Sequence, residues 1–488
     1  MFDKIKELTK DTVIYGISTI VGRFLNFLLV PFYTNVFSPA EVGIYSNIYA
    51  YIAFLNIIFI YGMDAAFMKY SSTAPDNKKK EAYSTAFLCV TISSLFFSLI
   101  LFLFRYPLVR LIEIPQNYFY LYYYLILIIF ADTLAIVPFA NLRLQRKSIR
   151  FTLIRLGNIL LNIFLNLLLV LKFKMGIEAI LIANLSASVF SLLLLSKDII
   201  KNLVLKIEKE FLKPMLKFAI PYLPASIAAT IVQVIDRPIV LALTNEETLG
   251  IYQANYKLGI FMMLIVQMFQ FAWQPFLLTT AKEKNAKDIF SKVLTLFLIA
   301  SSIVWLILSL FIEDVAKIKF YGNVSLIGYK FWGGLSIVPI ILLAYLFNGM
   351  YVNFQAGLYI EEKTKYFPIV TGLGALVNVI VNVLLIPILG IMGAAIATLA
   401  SYIVMASTLF MFSQKVYKIN YEFQKISKIL LLIFVTCLGY YFLYYNNLLN
   451  IPVKLILMIS YLMMLFILKI ISKNLLMNFK NLLLRRND

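Results

Sequence analysis

Apolar stretches of about the length of a membrane-spanning helix follow one another along almost the whole chain of 488 residues. Of these residues 62% are hydrophobic and only 14% are charged, against about 25% charged residues in an ordinary soluble domain. A water-soluble fold could not hide so much apolar surface. Because backbone polar groups in lipid must be paired within the segment, we expect an all-α polytopic membrane protein.

Fourteen apolar segments are candidates for transmembrane helices. They are residues 12–35, 40–66, 82–104, 118–141, 151–171, 177–196, 215–243, 249–278, 289–312, 326–356, 366–387, 391–413, 428–446 and 451–468. The chain contains no histidine, which excludes a histidine-ligated zinc and a Ser-His-Asp triad. The two cysteines, Cys89 and Cys437, lie in different apolar segments, so we expect no metal site and no cofactor.

The basic residues between the spans predict the orientation of the chain. With both termini placed in the cytoplasm, 32 of the 44 lysines and arginines fall on the inner side and 7 on the outer side. The net charge of +20 is therefore explained by topology and by contact with anionic membrane lipids. We expect no nucleic-acid partner.

An internal repeat divides the chain into two halves of the same orientation. Shifts of 207 and then 216 positions align residues 43–45 with 250–252, and Asn162 and Asn166 with Asn378 and Asn382. The shift equals six spans, an even number, so the repeat predicts two parallel six-helix bundles related by an axis along the membrane normal. Substrate would then sit between the bundles, which rock to open to alternate sides.

The predicted organisation has four parts. Residues 1–196 form an N-terminal lobe with spans 1–6, and residues 214–413 form a C-terminal lobe with spans 7–12. Residues 197–213 alternate apolar and charged positions, which predicts an amphipathic linker helix on the inner membrane face or, alternatively, a docking site for a partner. Residues 414–488 contain spans 13 and 14 and a basic cytoplasmic tail. These two spans either form a groove for a lipid tail or pack at the periphery.

Four basic residues inside predicted spans are candidates for lining a central cavity. An ionisable residue deep in the membrane is costly unless it is paired or hydrated, so each one suggests a function. Arg23, Arg237, Lys257 and Lys330 would give the cavity a positive charge and favour an anionic substrate.

Acidic residues in the spans are candidates for ion coupling. Asp132 has no obvious partner and is a candidate carrier of a proton or cation, whereas Asp64 is expected to pair with Lys69 or Arg23. Arg155 lies near the end of its span and is expected to extend towards the inner membrane interface.

Several short segments resemble bacterial polysaccharide flippases of the Wzx type, which belong to the multidrug/oligosaccharidyl-lipid/polysaccharide exporter superfamily. The likeness extends over nearly the whole chain and lies in the order of the segments. They are residues 37–45, 220–224, 236–237 and 250–257, followed by Asn378, Asn382, Gly390 and residues 393–395.

The resemblance implies that an undecaprenyl-diphosphate-linked oligosaccharide, such as an O-antigen or capsule repeat unit, is moved from the inner to the outer leaflet of the bacterial cytoplasmic membrane. It implies that Arg23, Arg237 and Lys257 contact the diphosphate. Likeness to the related lipid II flippase implies a sodium site at Asp236, Asn378, Asn382 and Thr398. Asparagine stands on span 11 where a second carboxylate would be expected, so coupling to sodium, to protons or to the membrane potential stays open.

Other functions remain as alternatives. A cation-coupled multidrug antiporter of the same superfamily would need an acidic, aromatic cleft, and a lipid II-type flippase would be a close relative. An oligosaccharide polymerase or ligase would need a large external loop, and the sequence offers none, so we do not expect an enzyme. We expect a monomer that meets polysaccharide polymerase or assembly proteins as partners.

Overall fold

The computed structural model describes Gly16, residues 20–322 and residues 324–471. Apolar helices run through this part of the chain, and several of them bend or change helix type along their length. In chain order they are α1 (Ile20–Val36), α2 (Pro39–Thr73), α3 (Asp76–Leu103), α4 (Leu121–Leu144), α5 (Ser148–Lys172), α6 (Glu178–Asn202), α7 (Lys209–Val234, continued by Asp236–Leu243), α8 (Glu246–Thr280), α9 (Ala286–Ala316), α10 (Tyr329–Ile360), α11 (Tyr366–Leu389), α12 (Ile391–Val416), α13 (Phe423–Tyr445) and α14 (Ile451–Ile467).

Twelve of these helices are long and apolar enough to cross a membrane, and α1 and α14 are two shorter apolar helices within the described residues. The predicted all-α polytopic fold with about fourteen helices is therefore confirmed. The beginning of the predicted first span and the basic tail after residue 471 lie outside the described residues.

Two helices that the repeat relates begin with side-chain caps. Ser38 accepts a hydrogen bond from the backbone N–H of Glu41 at 3.3 Å, and the Glu41 carboxylate accepts from the Ser38 N–H at 2.8 Å. Asn245, 207 positions later, accepts from the Thr248 N–H at 2.8 Å at the start of α8. Both caps satisfy backbone donors that a helix start leaves free.

Helix packing in the first half recurs in the second half. Helix α4 packs on α2, α3 and α6, and α6 packs on α5. In the same way α10 packs on α8, α9 and α12, and α12 packs on α11. The repeat is therefore present in the tertiary structure as well as in the sequence.

The two halves meet where α2 crosses α8. A Cβ atom placed on Gly43 would meet the backbone carbonyl of Glu246, and one placed on Gly250 would meet the carbonyl of Pro39. These two glycines are themselves 207 positions apart. Only glycine allows backbones to approach this closely, so the crossing depends on a matched pair of small residues.

The last two helices lie outside the repeated unit. Both α13 and α14 pack against α9, and they also contact each other. With α10 and α12, helix α13 lines an apolar groove of about 570 Å³. The structure thus shows peripheral packing together with a groove, and the use of the groove by a lipid tail stays a prediction.

The predicted linker over residues 197–213 is not one continuous helix, and its place on the inner membrane face stays a prediction. Helix α6 continues to Asn202 and α7 already begins at Lys209, which leaves residues 203–208 without helix. The backbone N–H groups of Val204 and Glu208 instead bond the hydroxyls of Ser84 and Thr85 on α3, at 2.7 and 3.0 Å. The amphipathic pattern therefore belongs to two helix ends that are tied to the first half.

The segments between α3 and α4 and between α9 and α10 contain short ordered elements. A helix (Arg105–Leu111) lies between α3 and α4. Between α9 and α10, strands β1 (Lys319–Tyr321) and β2 (Val324–Ser325) pair antiparallel. The Asn35 side chain at the end of α1 donates to the Ser325 carbonyl at 2.6 Å, so this hairpin also links the two halves.

Candidate functional site

A cavity of about 350 Å³ lies between the two halves. Its walls come from α1 of the first half and from α7, α8 and α10 of the second half. The polar side chains that line it are Arg23, Asn26, Gln233, Arg237, Gln253, Tyr256, Lys257 and Tyr345.

Interruptions in two helices place the basic residues of the second half. Helix α7 is broken at Ile235, and Pro238 lies in the first turn of its continuation, where it cannot donate a backbone hydrogen bond. Arg237 lies at this break. Lys257 begins a single 3₁₀ turn that interrupts α8, and such turns in mid-helix often mark functional positions.

Three of the four basic residues predicted to line a cavity, Arg23, Arg237 and Lys257, border this one. Their contact with a substrate stays a prediction. The Lys257 ammonium lies 3.4 Å from the Tyr45 hydroxyl and 5.5 Å from the centre of its ring. The Nε atom of Arg237 is buried and has no hydrogen-bond partner within the described residues. None of the three forms a salt bridge with the part of the chain that the structure describes.

No aspartate or glutamate lines the cavity within the described residues. Asp236, the neighbour of Arg237, is only 4% exposed, and its Oδ2 atom accepts a hydrogen bond from the Tyr252 hydroxyl at 2.5 Å. The cavity wall thus carries three basic groups and no carboxylate among the described residues, and positive charge in a cavity of low dielectric attracts anions strongly. The cavity is therefore suited to an anionic group, and the arginines can bind phosphate oxygens in bidentate fashion.

Lys330 does not line the cavity, so the prediction for this residue is wrong. It lies in the 3₁₀ turn Tyr329–Ile337 at the start of α10 and is exposed. This 3₁₀ segment directly follows the β-hairpin that connects α9 to α10. A basic side chain there is solvated at the edge of the span instead of entering the interior.

A second compartment of about 340 Å³ adjoins the cationic cavity on the side of the first half. The two share Asn26, Arg237, Gln253 and Lys257. The remaining polar side chains of the second compartment come from α1, α2, α5 and α6. They are Tyr33, Tyr45, Ser46, Tyr49, Asn158, Asn162 and Asn184.

The repeated asparagine pairs adopt the same geometry in both halves. The Asn166 side-chain amide donates to Asn162 Oδ1 at 3.0 Å, and that of Asn382 donates to Asn378 Oδ1 at 2.9 Å. Both pairs thus lie on one helix face, as their spacing predicts. They differ in surroundings, because Asn162 lines the second compartment whereas Asn378 and Asn382 are buried.

The candidate ion ligands of the second half lie on helices that are in contact. The continuation of α7, which carries Asp236, packs on α11 with Asn378 and Asn382 and on α12 with Thr398. The Thr398 hydroxyl bonds the Ala394 carbonyl at 3.2 Å. Asp236 Oδ1 and Asn382 Oδ1 are buried without a partner in the described part of the chain. Carboxylate and amide oxygens are ligands of the kind that a hard cation prefers, and the role of these residues in coupling stays a prediction.

Asp132 has partners that the sequence did not reveal. Its carboxylate accepts a hydrogen bond from the Ser188 hydroxyl at 2.6 Å, and its charge interacts with that of Arg155. The Arg155 guanidinium lies 4.3 Å from the centre of the Phe139 ring. Arg155 therefore faces Asp132 and an aromatic ring of α4, and the predicted extension to the interface gives an incomplete account of it.

Asp64 pairs with a residue other than those expected. Its carboxylate lies 3.8 Å from Arg143 at the end of α4, and Lys69 lies over the Phe218 ring at 4.2 Å. Arg23 lies in the central cavity. The tertiary packing of α2 on α4 supplies this partner, so the expected pairing of Asp64 with Lys69 or Arg23 is wrong.

Sequence reasoning missed the neutral polar residues of the site. Asn26, Asn158, Asn184 and Gln253 line the two compartments, but none carries a charge that draws notice within an apolar span. A usable signal was present: amide side chains are rare enough in apolar helices that several of them in α1, α5 and α6 indicate a shared polar surface.

Comparisons with known proteins agree with this architecture. The family model described as polysaccharide biosynthesis protein matches residues 8–281, more than half of the chain. No curated protein matches the chain.

Solved structures show the same fold. Lipid II flippase MurJ in an inward closed conformation has a TM-score of 0.70 at 17% identity, and the match covers 93% of this chain and 98% of that one. An inward-facing multidrug resistance MATE family transporter of the MOP superfamily has a TM-score of 0.63 at 15% identity, with 80% and 94% covered. A MOP superfamily transporter from Pyrococcus furiosus, described as having a binding pocket of reverse polarity, has a TM-score of 0.56 at 15% identity, with 83% and 95% covered. Because the family model covers more than half of its residues, the chain belongs to the polysaccharide biosynthesis protein family.

Proposed function

We propose that this protein is a flippase that carries an undecaprenyl-diphosphate-linked oligosaccharide from the inner to the outer leaflet of the bacterial cytoplasmic membrane. The observation that carries the proposal is the convergence of Arg23, Arg237 and Lys257 on one cavity between the halves. The family match to polysaccharide biosynthesis proteins and the MOP-like fold support it.

The diphosphate of such a lipid fits the charge of the cavity. It brings two phosphate groups that need several strong donors once they leave water. Two guanidinium groups and one ammonium provide such donors, and Arg237 Nε has no partner in the described chain. Because no carboxylate of the described residues competes for these donors at the cavity wall, an anionic group is favoured over a cationic drug.

Transport would proceed by alternating access of the two halves. The cationic residues come from both halves, so a bound diphosphate is held at the seam around which they move. The crossing of α2 and α8 at Gly43 and Gly250 brings the backbones of the two halves together, and we infer that it shuts one end of this seam. By the positive-inside rule this is the external end, with both chain termini in the cytoplasm.

The driving force and the partners belong to the proposal as well. Asp236, Asn378, Asn382 and Thr398 are the candidates for sodium coupling, Asp132 for proton coupling, and the membrane potential remains the alternative. Asp64 is the weakest candidate, because its carboxylate faces Arg143 at 3.8 Å. A monomer that hands its substrate to a polysaccharide polymerase or assembly protein would fit this role.

The proposal is tested in cells that lack the native gene and display a glycan only when the flippase works. We expect Arg237→Ala and Lys257→Ala to abolish the surface glycan while the protein is still present in the membrane. Lys330→Ala is the matched control, because this lysine lies outside the cavity and is exposed. Normal surface glycan with both cavity variants would contradict the proposal.

A multidrug antiporter is the competing function within the same fold. For the Pyrococcus furiosus transporter, the reverse polarity of the binding pocket suggests a different function. The absence of acidic side chains from the described cavity wall argues in the same direction here. If cells that carry the protein gain resistance to cationic drugs, and Asp132→Asn abolishes that resistance, the antiporter would be the better account.

A further inference from the structure

The second compartment beside the cationic cavity is lined by uncharged hydrogen-bonding groups. Its wall carries asparagine amides and tyrosine hydroxyls, while its only charged side chains among the described residues are Arg237 and Lys257, at the boundary that it shares with the cationic cavity. A few precisely placed polar groups in a cavity of several hundred Å³ are typical of a small-molecule site. The lining therefore suits a neutral ligand rich in hydroxyl or amide groups.

Several of these side chains are held in place by hydrogen bonds to residues of neighbouring helices. The Asn158 amide donates to the Ala187 carbonyl at 2.7 Å and to Ser191 Oγ at 2.9 Å. The Asn184 amide donates to the Tyr49 hydroxyl at 2.7 Å. Side chains that are fixed in this way lose little entropy when a ligand binds, so they form a pre-organised surface.

Hydrogen-bonding capacity is left over on the inner surface. Within the described residues, Asn162 Nδ2 and Asn158 Oδ1 have no protein partner. Gln253 is only 3% exposed, lines both compartments, and has a buried Oε1 atom without a partner in the described chain. An unpaired buried polar group costs free energy, and a ligand that pairs with it recovers that cost.

The second half does not repeat this compartment, although the repeat would allow it. The position that corresponds to Asn158 is Gly374, where a Cβ atom would already meet Met405 and lie 3.3 Å from Ser401 Oγ. Ser401 Oγ donates to the Gly374 carbonyl at 2.8 Å, which holds α11 and α12 close together. The space beside Asn378 is therefore filled, and the compartment in the first half is a specific feature and not a by-product of the architecture.

Resting on the proposed function, we propose that this compartment binds the first sugar of the lipid-linked oligosaccharide and that Asn158 and Asn162 help to determine which sugar is accepted. The sugar is joined directly to the diphosphate, so it must lie next to the groups that hold the phosphates. Arg237 and Lys257 stand at the shared boundary. The absence of further charge in the described wall selects an uncharged sugar.

The test measures binding of two probes to the purified full-length protein in lipid nanodiscs. One probe is a polyprenyl diphosphate without sugar, and the other is the same lipid with one N-acetylhexosamine. We expect the wild-type protein to prefer the second probe. Asn158→Ala and Asn162→Ala should each reduce this preference about three- to tenfold, as the loss of one ligand hydrogen bond does. Arg237→Ala should weaken both probes to the same extent.

The matched control is Asn353→Ala, which removes a buried amide on α10 outside both compartments. It should leave the preference unchanged, and melting curves of all variants will show that they fold. Equal binding of the two probes by the wild type, or equal weakening of both by Asn162→Ala, would overturn the sugar site. If instead Arg237→Ala leaves both affinities unchanged while Asn162→Ala reduces the preference, the cationic phosphate site fails and the sugar site stands.

Discussion

The crossing of α2 and α8 offers a direct test of alternating access, through Gly43→Ala. A Cβ atom at this position would lie 2.8 Å from the carbonyl carbon of Glu246, and closer still to its oxygen. Non-bonded carbon atoms prefer separations of about 3.5–4.0 Å, so the helices must part by at least roughly 0.7 Å. Both sides of the overlap are backbone, and no side-chain rotation can relieve it.

The size of the effect follows from the cost of overpacking. An extra methyl group in a tight contact typically costs about 1–3 kcal/mol. Here the cost falls on the state in which this end of the seam is shut, so its population relative to the open state should drop about 5- to 150-fold. Gly250→Ala should act in the same way, because its Cβ atom would meet the carbonyl of Pro39.

The assay uses a membrane-impermeant maleimide, added from the predicted external side. The reporter is Asn26→Cys, at a position that lines the cavity, in a background in which Cys89 and Cys437 are replaced by serine. Opening of the crossing should raise the labelling rate by the same factor as the population of the open state. Labelling measured from the opposite side should fall.

Two other glycines serve as controls. A Cβ atom on Gly372 or Gly439 would meet nothing within 4 Å, so Gly372→Ala and Gly439→Ala should leave labelling unchanged. Unchanged labelling in Gly43→Ala would refute the role of the crossing as a gate. An equal rise in the control variants would refute it as well, because the effect would then come from a general loosening of the helices.

Three further predictions concern single side chains. The Lys454 side chain is 4% exposed and its ammonium lies 2.5 Å from Asp314. Asp314→Asn should therefore lower the melting temperature of the purified protein more than Lys454→Met does, because it leaves a buried lysine unpaired. The opposite order would contradict this account. Asp132→Asn should make transport in proteoliposomes insensitive to an imposed proton gradient, and a retained response would remove Asp132 as a proton carrier. Ser38→Ala and Asn245→Ala should each destabilise the protein by about 1 kcal/mol in reversible denaturation, because each removes a helix cap, and no change would show that the helix starts are held by packing alone.

Much of the fold could be predicted because the solvent is a membrane. Within lipid, length and apolar character are sufficient to identify helices. The shift of 207 positions aligned Gly43 with Gly250 but did not reveal that the two helices cross there. The sequence could identify Arg23, Arg237 and Lys257 as candidates because a charged side chain within a membrane span costs free energy unless it is paired or hydrated. The same rule misplaced Lys330, since the sequence does not show where a span ends, and the structure puts this residue at an exposed helix start.

The uncharged polar residues of the second compartment could not be predicted by looking for charged residues within apolar spans. Asn158 and Asn184 occur in apolar spans, where an amide can either bond a neighbouring helix or face a cavity, and the structure shows that Asn158 does both. The partner of Asp64 was missed for a related reason. Arg143 is distant in sequence, and only the packing of α4 on α2 brings it near.

The distribution of positive charge between the two halves affects how readily the protein changes conformation when no substrate is bound. Arg23 belongs to the first half, whereas Arg237 and Lys257 belong to the second, and all three face the same space. Without an anion between them, like charges on opposite moving bodies repel each other, which opposes their approach. A bound dianionic substrate attracts the basic residues of both halves and so offsets this repulsion. Under the proposed function, the bound diphosphate would itself hold the two halves together. The protein without substrate would then change slowly between its inward-open and outward-open states.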